Sequence, residues 1–197
     1  MIISKIILGT ALLIAAIILV NFFDKHLKKN ELSRIFFITG TSGSGKSMVT
    51  ELLKKRLSEQ LFDIHDFDEV GVPSGADAQW RQATTEYWVA RAADNAKQGK
   101  STVVCGVVVP TEVTHAANNI QNKICFGFLK IDDALIRQRL QGRAWSEQLI
   151  LDNINWAHQL EKEVRQYGGF VIDCANKNGE QVADECCVCM NVGNGFT

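Results

Sequence analysis

The chain has 197 residues, of which 46% are hydrophobic and 22% are charged. This length and composition are typical of one globular domain with a short appendage, and they exclude a repeat array, a fibrous chain and a disordered chain. The formal net charge of -1 argues against a broad basic surface, so no nucleic-acid partner is expected.

The chain opens with an apolar run. Residues 6–20 carry no charge, and a bilayer core about 30 Å thick needs roughly 20 helical residues. Residues 1–24 are therefore predicted to form a membrane anchor, with a signal peptide or a buried or surface helix as alternatives, and residues 25–33 a linker. The lysines after the run predict a single-pass protein with its catalytic domain in the cytoplasm and the membrane as a partner.

A buried strand, a glycine-rich loop and a helix come next. The unbroken apolar run from Ile35 to Thr39 is typical of a strand in a parallel sheet, and helical spacing follows the loop up to about Gln60. The loop reads GTSGSGKS and matches GxxxxGKS, the P-loop motif, in full. Its N–H groups would cradle phosphates, Lys46 would bridge the terminal phosphates and Ser47 would bind Mg²⁺. The predicted nucleoside triphosphate site comprises Gly40, Thr41, Ser42, Gly43, Ser44, Gly45, Lys46 and Ser47.

Two aspartates follow a second predicted strand at residues 61–64. Asp66 and Asp68 would lie at the carboxyl edge of the sheet, where folds of this class bind ligands. As residues i and i+2 of an extended chain they would point the same way. One carboxylate would hold Mg²⁺ and the other would accept a proton from a substrate hydroxyl. The alternative is a solvated acidic loop, and His65 is interpreted as a packed neighbour.

The remaining chain alternates helices with strands. Helices are predicted over residues 77–98, about 132–140 and 146–168, and strands over residues 102–109, 124–131 and 170–172. Such alternation predicts an α/β fold with a parallel sheet covered by helices on both faces. The strand at 102–109 lacks the acidic pair of a motor ATPase, which disfavours a mechanical or remodelling ATPase.

Candidate acceptor-binding residues lie between the acidic pair and the end of the third strand. Arg81 is the preferred contact for an anionic acceptor, whereas Trp80 and Trp88 fit a packing stripe equally well. Gly106, within the third strand, would let a ligand approach the backbone closely, or would pack against a helix.

Two arginines near the fourth strand are candidates for charge stabilisation. Guanidinium groups suit the charge spread over a transferring phosphoryl group. Arg143 would close over the phosphates, and Arg139 is the other candidate, although it also fits a solvated helix position.

Three of the six cysteines, Cys186, Cys187 and Cys189, cluster near the C-terminus. Residues 34–185 are predicted to form the folded domain and residues 186–197 an irregular tail, with the end of a helix as the alternative. The cluster lacks a second Cys pair and a nearby His, so a metal site there is disfavoured.

Over about residues 35–183 the chain resembles the small P-loop kinases, which include shikimate, gluconate and nucleoside monophosphate kinases. The resemblance rests on GTSGSGKS, on the Asp-x-Asp pair, on a glycine in the third strand and on RQRLQGR after the fourth. It implies a three-layer P-loop NTPase fold whose five-stranded parallel sheet has the order 2-3-1-4-5.

The resemblance also implies roles for individual residues. Asp66 would help to place Mg²⁺, Asp68 would contact the phosphoryl acceptor, and Arg139 or Arg143 would serve as the lid arginine. The nucleotide base would lie near residues 173–178.

The predicted function is that of an ATP- and Mg²⁺-dependent kinase, which transfers the γ-phosphate to a small hydroxyl- or phosphate-bearing metabolite. The alternative is a membrane-tethered nucleotide-binding ATPase or switch without a small-molecule acceptor. The oligomeric state is not predicted.

Overall fold

A parallel sheet of five strands forms the centre of the computed structural model, which describes residue 18, residues 33–117, residue 120 and residues 123–190. The strands are β1 (Ile35–Thr39), β2 (Phe62–Asp66), β3 (Ser101–Gly106), β4 (Ile124–Lys130) and β5 (Phe170–Asp173). Their spatial order is β2-β3-β1-β4-β5, and all neighbouring pairs are parallel. The predicted fold class and strand order are confirmed.

Helices cover both faces of the sheet. They are α1 (Lys46–Arg56), α2 (Ala78–Lys97), α3 (Pro110–Ala116), α4 (Asp133–Gln141), α5 (Glu147–Gln166) and α6 (Gly179–Cys189), with a 3-10 turn at Phe67–Val70. Helices α1 and α6 pack together on one face, whereas α2, α3 and α5 pack on the other, with α4 against α5. This is the three-layer arrangement that the sequence predicts.

The central strand β1 sets where the loops meet. Residues 35–38 are at most 3% exposed, so β1 is buried on both faces. In the register of the sheet, Thr39 lies opposite Gly106 of β3, and Asp66 of β2 lies opposite Cys105. The P-loop after β1 and the acidic residues after β2 therefore leave the sheet at the same edge.

The chain after β3 differs from the prediction. The strand ends at Gly106 rather than at residue 109, and Pro110 begins α3. Proline suits the first turn of a helix because its missing N–H would have no partner there. Val108 and Val109 are buried although they lie beyond the strand. The apolar run therefore continues past Gly106, and for this reason the predicted strand is too long.

The C-terminal helix extends beyond the predicted domain. Helix α6 continues to Cys189, so residues 186–189 form the end of a helix, which is the alternative that the sequence left open, rather than an irregular tail. The side chain of Asn178 accepts a hydrogen bond from the backbone of Gln181 at 3.0 Å and caps the first turn. Cys186 is fully buried against the core. The rest of the predicted tail, residues 191–197, lies outside the described residues.

The predicted single-pass membrane location is wrong for the residues that the structure describes. Among the residues that the structure describes, no helix is both long enough and apolar enough to cross a bilayer. The two 20-residue helices, α2 and α5, carry charged residues along their length. Apart from residues 18 and 33, the predicted anchor and linker lie outside the described residues.

Candidate active site

The P-loop connects β1 to the first turn of α1. Gly43 and Gly45 have φ angles of 82° and 98°, a left-handed conformation that side chains with a Cβ rarely adopt. Gly45 is the N-cap of α1 and provides no side-chain cap. The N–H groups that open α1 therefore face the loop, where they can bind an anion.

Lys46 lies at the centre of this loop. Its ammonium group donates a hydrogen bond to the carbonyl oxygen of Thr41 at 2.8 Å. Burial lowers the pKa of Lys46 to about 8, although the nearby carboxylates of Asp66 and Asp68 act in the opposite direction. The loop lysine and the two predicted acids are thus close enough to interact electrostatically.

The acidic residues do not lie on one extended strand as predicted. Asp66 ends β2 and caps the 3-10 turn, which contains Asp68. The Asp66 carboxylate accepts hydrogen bonds from the Ser47 hydroxyl at 2.8 Å and from the backbone N–H of Asp68 at 3.1 Å. Glu69 in turn accepts a bond from the backbone N–H of Asp66 at 3.2 Å. The turn therefore fixes both acids beside the P-loop.

Asp68 has a perturbed carboxyl group. Burial raises the pKa of Asp68 above its usual value, and the negative charge of Asp66 raises it further, while Lys46 opposes the shift. A carboxyl group with a raised pKa is a better proton acceptor near neutral pH.

The oxygen atoms of Ser47 and Asp66 fit a magnesium ion. Mg²⁺ prefers oxygen ligands and is commonly held by one or two protein groups together with substrate phosphates. Because the hydroxyl and the carboxylate already lie 2.8 Å apart, both can reach one cation at the mouth of the P-loop.

The two candidate arginines also approach the P-loop. Arg139 of α4 donates a hydrogen bond to the carbonyl oxygen of Gly43 at 2.6 Å. The positive charge of Arg143 contributes to lowering the pKa of Lys46, which places it near the same ammonium group. Of the two predicted arginines, Arg139 therefore contacts the P-loop directly, whereas Arg143 acts on Lys46 through its charge.

The two predicted acceptor contacts have protein partners. Arg81 binds the carboxylate of Glu112 through two nitrogens. At Gly106, an added Cβ would lie 2.0 Å from the Cβ of Phe67, so the side chain of Phe67 fills this space. Sequence reasoning missed Glu112, because it lies in the first turn of α3, a helix that was not predicted.

A polar network behind the acidic turn was also missed. The Asp63 carboxylate binds Arg91 at 2.8 Å, Asn95 at 2.7 Å and His65 at 2.9 Å. Burial alone would raise the pKa of Asp63, but hydrogen bonds from these partners hold it well below its usual range. The other ring nitrogen of His65 contacts Glu69, which links the network to the turn that carries Asp66.

The predicted base-binding segment follows β5. The side chain of Asp173 accepts a hydrogen bond from the backbone N–H of Ala175 at 2.9 Å, and Asn176 has a φ angle of 56°. This turn leaves the sheet at the same edge as the P-loop, because all strands are parallel. Its contact with a base remains a prediction.

Comparison with known proteins gives one family and several structural relatives. A family model described as an AAA domain matches residues 36–166. A curated protein from Sulfurisphaera tokodaii, named "Putative adenylate kinase", is 26% identical over 160 residues, which are 77% of this chain and 79% of that protein.

Solved structures of small-molecule kinases share the fold. Shikimate kinase from Acinetobacter baumannii, solved with shikimate, superposes with a TM-score of 0.59 at 12% identity, covering 86% of this chain and 99% of that one. A gluconokinase from Sinorhizobium meliloti superposes with a TM-score of 0.55 at 16% identity, covering 81% and 92%. At these identities the likeness shows the fold alone. P-loop kinases of this kind use ATP and Mg²⁺, the cofactors that the sequence predicts.

Proposed function

Because this chain belongs to the AAA domain family and is a P-loop small-molecule kinase in its fold, we propose that it transfers the γ-phosphate of ATP to a small hydroxyl- or phosphate-bearing acceptor. One observation carries the proposal. The Asp66 carboxylate accepts hydrogen bonds from Ser47, the residue after Lys46 in the P-loop, and from the backbone N–H of Asp68. A phosphate-binding loop, a cation site and a candidate base therefore converge at one edge of the sheet.

The P-loop holds the phosphates of the nucleotide. The N–H groups at the start of α1 bind phosphate oxygens, favoured by the positive end of the helix dipole. Lys46 exchanges its bond to the Thr41 carbonyl for the terminal phosphates.

Ser47 and Asp66 would hold the magnesium ion. Held by these two side chains, the ion would supply positive charge to offset the negative charge that develops during transfer. The turn positions Asp66 for this task, because the backbone N–H of Asp68 binds its second carboxylate oxygen.

Asp68 is the candidate base. Its carboxylate orients the acceptor and takes the proton of the attacking hydroxyl, a role that the raised pKa supports. Where the acceptor is itself a phosphate, which needs no base, Asp68 orients it.

Arg139 and Arg143 stabilise charge on the transferring group. Arg139 approaches the P-loop through its bond to Gly43, and Arg143 lies near Lys46. A guanidinium beside a transferring phosphoryl group lowers the barrier through electrostatics.

The proposal is tested by ADP release from the full chain with ATP, Mg²⁺ and a panel of small acceptors. We expect one class of acceptor to accelerate ADP release, and Asp68→Asn to remove this acceleration while ATP still binds. Asp94→Asn, an exposed change on α2, is the matched control. If no acceptor accelerates ADP release, the protein is a nucleotide-binding ATPase or switch instead.

A further inference from the structure

We propose that the acceptor is an uncharged polyhydroxylated molecule, selected by the ion pair between Arg81 and Glu112 with the tryptophan rings beside it. This inference rests on the proposed kinase function and narrows its substrate class. It replaces the expectation that Arg81 attracts an anionic acceptor.

The pair is connected to the P-loop through α5. The side chain of Thr41, in the P-loop, donates a hydrogen bond to the carbonyl oxygen of Asn153 in α5 at 3.2 Å. Trp156 lies about one helical turn further along α5, and the guanidinium carbon of Arg81 lies 6.0 Å from its ring centroid. The ion pair is thus connected to the P-loop through a single turn of helix.

A second connection leads to the acidic turn. Trp80, next to Arg81 in α2, packs edge-on against Phe67 with ring centroids 6.1 Å apart. Phe67 lies between Asp66 and Asp68 in the chain. Through adjacent residues of α2, the ion pair is therefore connected to the acidic turn as well as to the P-loop.

The geometry of the pair leaves no net charge. The Nε atom of Arg81 lies 3.0 Å from one carboxylate oxygen of Glu112, and an Nη atom lies 2.7 Å from the other. This is a bidentate contact, the strongest form of such a pair. An anionic acceptor would have to displace the Glu112 carboxylate or lie beside it, and both cost free energy.

A further cation, Arg143, is assigned to the transferring phosphoryl group in the proposed function, and four other described cations near the site contact protein groups. They are Lys46 with Thr41, Arg139 with Gly43, Arg91 with Asp63 and Arg137 with Glu147. Of these, Lys46 and Arg139 serve the phosphates of the nucleotide in the proposed function. Among the described residues, each arginine and lysine of α2 is therefore paired with a carboxylate, and α3 contains neither residue type. These two helices offer no unpaired positive charge to an anionic acceptor.

The same pair suits hydroxyl groups. Arg81 keeps N–H donors outside this contact, and Oε2 of Glu112, which accepts one hydrogen bond, keeps a second lone pair, whereas Oε1 accepts two. The two side chains are 30% and 28% exposed, so a ligand can reach them. Hydroxyls both donate and accept, and the half-buried rings of Trp80 and Trp156 offer apolar surface to the carbon face of a polyol.

The experiment uses acceptors in matched pairs that differ in charge, D-glucose with D-gluconate and adenosine with AMP. The full chain is assayed for ADP release with ATP and Mg²⁺. For wild type we expect a higher kcat/KM with an uncharged member than with its anionic partner. In Glu112→Gln, which keeps the size of the side chain and removes its charge, this ratio should fall by about tenfold, the effect of one charge-assisted hydrogen bond.

Two further variants isolate the cause. Glu86→Gln removes a charge from the exposed side of α2, where Glu86 contacts Gln82, and should leave the ratio unchanged. The double variant Arg81→Gln/Glu112→Gln keeps the net charge of wild type but removes the guanidinium. We expect Glu112→Gln to raise kcat/KM with the anionic acceptors and the double variant to show no such rise. The double variant also serves as a second test if Glu112→Gln folds poorly.

The outcomes separate this inference from the proposed function. A wild-type preference for the anionic members, or a ratio unchanged in Glu112→Gln, overturns the inference and leaves the kinase function standing. If no member of either pair accelerates ADP release while another acceptor of the panel does, the inference fails and the proposed function stands. If no acceptor of the panel accelerates ADP release while ATP is bound, both fail.

Discussion

The hydroxyl of Ser47 lies 2.8 Å from the carboxylate of Asp66 and donates a hydrogen bond to it. Ser47 is in the first turn of α1, whereas Asp66 is the last residue of β2. The contact joins the P-loop to the acidic turn, because it crosses between two elements that leave the sheet at the same edge. The contact thereby brings together the two oxygen atoms that are the candidate ligands of Mg²⁺.

Removing either oxygen should weaken magnesium binding. We expect Ser47→Ala and Asp66→Asn to raise the Mg²⁺ concentration for half-maximal ATP turnover by about tenfold or more, since each removes one ligand from the site. The measurement is a Mg²⁺ titration at saturating ATP. Ser58→Ala, an exposed hydroxyl near the end of α1 that binds Gln60, is the control. An unchanged Mg²⁺ requirement in both variants would contradict the assignment.

Nucleotide affinity should depend on pH through Lys46. Its pKa is lowered to about 8 by burial, so the ammonium group carries its charge below this pH and loses it above. Because the charge attracts phosphates, the Kd for ATP should rise as pH increases through about 8. Calorimetric titrations across this range measure the change. Lys46→Arg, whose guanidinium stays charged, should bind ATP without this pH dependence. A Kd of wild type that does not change with pH would contradict the prediction.

Gly106→Ala should destabilise the fold. The added Cβ would lie 2.0 Å from the Cβ of Phe67, so the 3-10 turn would have to move. We expect the free energy of unfolding to fall by about 1–3 kcal/mol, as for overpacked cores, measured by urea denaturation. Gly142→Ala is the control, because its Cβ would meet only ordinary contacts at 3.5 Å and beyond. Equal free energies of unfolding for wild type and Gly106→Ala would show that the 3-10 turn at Phe67 moves aside at no cost.

The network around Asp63 should contribute to stability in a pH-dependent way. Since the pKa of Asp63 is held below its ordinary value of 3.8 in the folded chain, its contribution is present above pH 3.8 and is lost as the pH falls below it. Asp63→Asn leaves Arg91 and its neighbours without a carboxylate partner and should cost about 1–3 kcal/mol at neutral pH.

Urea denaturation at several pH values tests this second stability prediction. The difference between wild type and Asp63→Asn should shrink as the solution is acidified below pH 3.8. Asp94→Asn, which affects only an exposed pair with Lys97, should show no such trend. A constant difference at all pH values would assign the effect to packing rather than to charge.

Local patterns in the sequence predicted much of the fold. The P-loop, the five strands and the caps of the long helices follow from short-range chemistry. Ser146, for example, was predicted to start α5 and caps it. The strand order came from resemblance to a family rather than from any local pattern. Helix α3 was missed and the end of α6 was only an alternative, because both helices are short and their apolar residues are also typical of a strand end or a tail.

The amino-acid sequence by itself determined the phosphate-binding loop and the residue types available for phosphotransfer, because a P-loop is built from eight consecutive residues. Only the tertiary structure decided that Arg81 is neutralised by Glu112, that Asp66 binds Ser47, and that Asp63 collects three donors. The first two contacts link segments that the parallel sheet brings to its carboxyl edge, whereas Asp63, near the start of β2, meets the C-terminal half of α2. No local pattern encodes which of many charged side chains will meet at either place.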